Sequence, residues 1–179
     1  EILDNLFEEH GGRIFNTAGD SVLAEFQSAV SAVICATEFQ KLIKERNASV
    51  EADAQMRFRV GLNMGDVIVE GSNLYGDGVN VAARLEALCQ PEGVSLSKSI
   101  HDFVSQKVDF TFADLGDQKV KNTVVHAFDI TMEGVESRSA GKEIESSSTD
   151  ESSPPTIAVL PFKNMSNDEE QEYFADGVT

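Results

Sequence analysis

The stretch Tyr75-Gly76-Asp77-Gly78-Val79-Asn80-Val81-Ala82-Ala83-Arg84-Leu85-Glu86 constrains this chain most. A Gly-rich turn runs directly into a helix that continues to about Leu88. At helical spacing Asn80 and Arg84 stand i and i+4, one turn apart on one face. A hydrogen-bonding amide and a fixed cation therefore project side by side from the first turns. Val79, Ala82, Ala83 and Leu85 are small or apolar, which suits a closely packed helix. Taken alone, an arginine here is an ordinary salt-bridged residue, with Asp77 and Glu86 as nearby partners. Gly76-Asp77-Gly78 is too short and wrongly placed for a dinucleotide fingerprint.

The charge narrows what such a helix can serve. The 179 residues carry 31 acids against 14 bases, a formal net charge of −17. That field repels nucleic acid and anionic membrane surfaces. It also repels a nucleoside triphosphate, so a site for one needs metal ions and a local group of Lys and Arg. No run reaches the roughly 20 apolar residues that span a bilayer, so no membrane contact is expected from this segment. Cys35 and Cys89 have no zinc or redox spacing and read as core thiols in a reducing, cytoplasmic compartment. His10, His101 and His126 show no ligand spacing either. The chain starts at Glu1 without Met and stops at Thr179, and reads as a piece of a longer polypeptide.

In order, residues 1–10 read as the end of a helix stopped by Gly11-Gly12. Residues 13–17 and 22–26 read as a hairpin about Gly19-Asp20, with Asp20 at its tip. Residues 28–46 are an amphipathic helix, with Val30, Val33, Ile34, Thr37, Phe39, Leu42 and Ile43 marking its apolar side. Residues 56–64 and 67–70 are strands about Gly65-Asp66. After the helix at 76–88 come a strand at 94–96, a helix from Ser97 to Val104, a strand at 108–112, a turn at 114–117, residues 118–122, and a last strand from Val124 to Ile130. This order predicts an α+β fold in the ferredoxin-like neighbourhood, a mostly antiparallel sheet with helices packed on one face.

The composition changes after Thr131. Residues 132–155 are Ser/Glu-rich, with six acids and two bases over 132–153, and read as a disordered linker closed by Pro154-Pro155. Its acids lack the loop spacing of a calcium site. Residues 156–162 then read as a new buried-type strand that opens a second domain over 156–179.

Three pieces taken together, 12–20, 59–67 and 75–86, resemble the class III nucleotidyl cyclase catalytic domain. The resemblance is closest to bacterial adenylate cyclases in which a cyclase domain precedes a TolB-like domain and tetratricopeptide repeats. It covers about 1–131, with 156–179 similar to the opening of the TolB-like domain. It implies an adenylate cyclase that turns ATP into 3′,5′-cyclic AMP and pyrophosphate, with two Mg2+ or Mn2+ ions clamping the attacking and leaving sides. By the same resemblance Asp20 holds metal, Asn80 orients the ribose, and Arg84 stabilises charge on the α-phosphate. Lys121 binds the terminal phosphates, and Asn16 and Asn73 stand at the base-reading positions. The site forms between two head-to-tail copies of a homodimer, Asp20 from one and Asn80, Arg84 and Lys121 from the other. The other metal aspartate of the family lies upstream of residue 1, so these residues alone are expected to be inactive. A competing reading is a weak or inactive cyclase-fold module that binds nucleotide, dimerises and regulates a downstream region. RNA binding is set aside, because the strands lack a stacking aromatic pair and the charge is of the wrong sign.

Overall fold

The computed structural model describes residues 2–18, 21–70, 73–120, 123–139 and 156–161, with the backbone alone for 2–4, 16–18, 69–70, 73 and 156–161. Helix α1 (Ile2–Glu9) buries Leu6 and Phe7 and ends at Gly11, whose φ of 68° needs glycine. Strands β1 (Gly12–Ala18) and β2 (Ser21–Phe26) form the expected antiparallel hairpin, paired down to Ala18 opposite Ser21. Gly19 and Asp20, between that last pair, lie outside the described residues.

Helix α2 (Ala29–Asn47) starts at Ser28, whose side chain accepts a hydrogen bond from the Ser31 N–H at 3.3 Å. Its buried stripe runs through Ala29, Ala32, Val33, Ala36, Phe39, Gln40 and Ile43, spacings of three and four. Leu42, read as part of that side, is 40% exposed, while Gln40 is 3% exposed. The Gln40 amide donates to Phe58 O at 3.0 Å and Gly93 O at 2.7 Å, which makes the polar residue the better one to bury.

Next come β3 (Arg59–Leu62), a small hairpin of β4 (Ile68–Glu70) and β5 (Asn73–Tyr75), then α3 (Asp77–Leu88), β6 (Val94–Ser97) and α4 (Lys98–Val104). The strand expected at 108–112 and the turn at 114–117 are replaced by one long strand, β7 (Phe112–Val120). Its register shifts between Asp114 and Gly116, a bulge in which Leu115 is buried and Gly116 takes φ 69°. The Asp114 carboxylate accepts the Gly116 N–H at 2.7 Å, which sets its pKa below the usual carboxylate range, with the His126 ring helping. Strand β8 (Thr123–Ile130) returns antiparallel to β7.

Seven strands form one mixed sheet in the order β1-β2-β9-β3-β6-β8-β7, and β4-β5 stands as a separate ribbon. Strand β9 (Thr156–Pro161), placed by sequence at the opening of the second domain, pairs in parallel with both β2 and β3 at the sheet centre. The first residues of the expected linker are also anchored. Arg138 bonds both oxygens of Asp129 at 2.7 and 2.9 Å and donates to Leu88 O at 2.7 Å.

The fold is of the expected α+β class. Residues of α1, α2 and α4 share one apolar cluster with Ala24, Phe26, Val60, Leu62, Leu96 and Phe128 of the strands. Helix α3 lies on the opposite face, where Leu85 packs with Leu115, Val125 and Ala127. The alternation of each strand separates the two faces.

Candidate active site

Helix α3 is the element on which the site is built, and its seat on the sheet is set by glycine. A Cβ on Gly61 of β3 would run into Ala82 O and Glu86 N, so only glycine lets the helix approach this closely. Gly76 caps α3 at φ 135°, with its carbonyl accepting the N–H groups of Val79 and Asn80. Asn63, just past β3, donates to Gly78 O at 3.1 Å and fixes the first turn. At the other end, Arg59 Nε approaches Glu86 Oε1 at 3.0 Å, with side chains 15% and 9% exposed. The contact is an ion pair by distance, but its N–H is off-line and meets no hydrogen-bond geometry.

Asn80 sits exposed on this helix and Arg84 half-buried, one turn apart as the spacing predicts. The Arg84 Nη1 donates to the hydroxyl of Thr123, the first residue of β8. Val120 pairs with Thr123, so the two residues between them, Lys121 and Asn122, connect β7 to β8. Lys121 itself lies outside the described residues, yet the chain on its C-terminal side is bonded to Arg84. Asn16 pairs through its backbone with Leu23, and Asn73 with Glu70; their side chains lie outside the described set.

The hairpin carrying Asp20 lies toward the other end of the strands. Ser21, next to Asp20, is level with Thr156, which is level with Arg59 at the start of β3. Asn63 and the first turn of α3 belong to the far end of β3, and Thr123 lies beyond the far end of the parallel strand β6, whose Ser97 pairs with Ala127. Asp20 is outside the described residues; its chain neighbour Ser21 is at the opposite strand end from the first turn of α3 and Thr123, with the Arg84 turn between them over Gly61.

Among the described residues, no group of three or more His, Cys, Asp and Glu side chains is placed to hold a metal ion. His126 is instead bracketed by Asp117 at 2.7 Å and Asp114 at 2.9 Å across the β7–β8 pair. Both thiols are free and buried. Burial, followed by nearby Glu38 for Cys35 and Asp129 for Cys89, pushes each up to about 12. A groove of about 590 Å³ between α2 and residues 130–135 lies on the face away from α3 and takes no part in this arrangement. Thr123, Arg59 and Gly61 were not singled out from sequence. Only Gly61, a glycine inside a strand pattern, carried a signal for close backbone approach.

The family model for the adenylate and guanylate cyclase catalytic domain matches residues 1–132. The chain belongs to that family. The chain is 44% identical over its whole length to “Putative adenylate cyclase 3” of Rhizobium meliloti (strain 1021), and spans 31% of that protein. Among solved structures it resembles an adenylate/guanylate cyclase/hydrolase from Silicibacter pomeroyi, with TM-score 0.66 and 32% identity over 75% of this chain and 80% of that one. The adenylyl cyclase CyaB from P. aeruginosa shares the fold at TM-score 0.54, with 17% identity over 76% of this chain and 78% of that one. Among the described residues of the cyclase domain, no helix is long and apolar enough to cross a membrane.

Proposed function

We propose that the protein is an adenylate cyclase that converts ATP to 3′,5′-cyclic AMP and pyrophosphate in intracellular signalling. The observation that carries this reading is the bond from Arg84 on α3 to Thr123, which brings the guanidinium to the strand that follows Lys121. Two cations from one chain then serve one triphosphate in a protein that is otherwise strongly acidic. The ribose 3′ oxygen bonds to the α-phosphorus as the bond to the β-phosphate oxygen breaks, and the 3′ proton leaves to solvent. Arg84 presents a fork of fixed donors to the charge that gathers at the α-phosphate. Asn80, one turn earlier, orients the ribose, Lys121 takes the terminal phosphates, and Asn16 and Asn73 read the adenine edge with amide donors and acceptors. Divalent ions, Mg2+ or Mn2+ and two per site, with Asp20 as a ligand, supply charge neutralisation when bound.

The working unit in this proposal is a head-to-tail homodimer. The separation of Ser21, next to Asp20, from the first turn of α3 and from Thr123 along the strands supports it, since one copy then completes the other's site. An exposed apolar pair on the β4–β5 ribbon, Ile68 at 64% and Tyr75 at 50%, gives such a contact a nucleus. Buried free thiols suit the cytoplasm.

The test is cyclic nucleotide formation by the full-length protein from ATP and, separately, GTP with Mn2+ or Mg2+. ATP should be preferred, and Arg84→Ala and Asp20→Ala should each lose at least about 100-fold in kcat. Mixing those two variants should restore roughly a quarter of the wild-type rate, through mixed dimers with one intact site. Wild-type rates in Arg84→Ala reject the cyclase assignment. No recovery on mixing rejects the shared site, and equal use of GTP rejects the adenylate assignment.

A further inference from the structure

We propose that Thr123 is a positioning residue that orients the Arg84 guanidinium for the reaction. The inference deepens the cyclase reading and rests on it for its catalytic part. An arginine side chain carries about 2 kcal/mol of rotamer entropy. A cation that stabilises a transition state must be held before the charge develops, because reorganisation at that moment raises the barrier. Among the described residues, the side chain that bonds Arg84 is Thr123, through Nη1 to Oγ1. The nearest acidic candidate in sequence, Glu86, is instead paired with Arg59 beneath the helix.

The chemistry of the holder is suited to the task. A carboxylate in this place would neutralise the guanidinium that a phosphate needs. A hydroxyl accepts one N–H and leaves the charge and the four other N–H donors available. Threonine is β-branched and stiff at χ1, and this one is fixed by its backbone pairing with Val120 at the start of β8. The same pairing flanks Lys121. Thr123 therefore ties the α3 cation to the β7–β8 junction.

The experiment compares wild type, Thr123→Val and Thr123→Ser in the full-length protein, with Arg84→Ala as a background. Thr123→Val keeps the shape and removes the acceptor. It should lower kcat roughly tenfold, the scale of one hydrogen bond to a charged group, with KM within about twofold and an unchanged melting temperature. Thr123→Ser should restore kcat. In the Arg84→Ala background, Thr123→Val should add nothing, since the two act as one unit. Unchanged or raised kcat in Thr123→Val, no rescue by serine, or full additivity with Arg84→Ala overturns the proposal.

A second readout does not depend on turnover. With 15N-labelled arginine, the order parameter of the Arg84 Nε should fall clearly from wild type to Thr123→Val. Equal order in both overturns the proposal even in a protein with no measurable cyclase activity. A difference in order without any cyclase activity leaves Thr123 as the holder of Arg84 and removes only the cyclase reading.

Discussion

The two faces of the central sheet are built from different materials. On the face covered by α1, α2 and α4, the strands present Val60, Leu62, Val94, Leu96, Phe128 and Ile130. Phe7 meets Phe26 edge-on at 5.5 Å, and Phe39 meets Phe58 at 5.0 Å. On the α3 face the alternate residues of the same strands are Arg59, Gly61, Ser95, Val125, Ala127 and Asp129. There a small apolar patch of Leu85, Leu115, Val125 and Ala127 is joined by the Arg59–Glu86 ion pair, by Asn63 to Gly78 O, and by Arg84 to Thr123. Apolar burial is strong but non-directional, so the first face supplies stability and tolerates small shifts. Hydrogen bonds have narrow geometry, so the Asn63 and Arg84 bonds give the second face position as well as packing. The residues proposed for chemistry stand on the positioned helix.

This contrast can be broken by substitution. Phe39→Ala should cost about 3–5 kcal/mol of stability by denaturant unfolding, the largest stability effect expected, while the rate per folded molecule stays within twofold. A rate loss on the scale of Arg84→Ala would show that the apolar face also positions the site. Glu86→Gln, which leaves Arg59 buried without its charge partner, should cost about 3 kcal/mol. The double variant Arg59→Met/Glu86→Leu should recover most of that stability but not the wild-type kcat, because burial returns without direction. Gly61→Ala should cost about 1–3 kcal/mol by overpacking, yet lower kcat more than Phe39→Ala does, since it displaces α3 as a body.

The smallest effect concerns the two thiols, Cys35 on α2 and Cys89 after α3. Both are held at a pKa of about 12 against an ordinary value of 9.0. A raised folded pKa means that folding favours the protonated form. The stability this contributes is complete below about pH 9 and is lost as pH rises from about 9 toward 12. Thermal midpoints should be flat up to pH 9 and fall above it, and less so in Cys35→Ala. A midpoint that is pH-independent up to pH 11 would contradict the buried, neutral placement of these groups.

Much of this arrangement was legible in the sequence, for local reasons. Alternation at 13–17 and 22–26 gave the first hairpin, and the spacing of three and four gave α2. The glycines before Val79 gave the start of α3 and put Asn80 and Arg84 on one face. What was not legible depends on distant partners. Gln40 is buried because two carbonyls from other segments meet it. The bulge at Leu115 reads as a turn, because Asp-Leu-Gly-Asp carries turn chemistry and only the pairing with β8 keeps the strand going. Thr123 stands 39 residues from Arg84, and a threonine at a strand start has no signature that points across that gap. Parallel pairing of β9 with β2 and β3 likewise has no local mark.

The Arg138 clasp has a mechanical meaning. It grips Asp129 on β8 and the last carbonyl of α3 at once, just where the polypeptide leaves the sheet. Strand β9 lies in the same sheet, between β2 and β3, so the chain after β8 has two anchorages. One is the sheet centre, and the other is the end of the helix that bears Asn80 and Arg84.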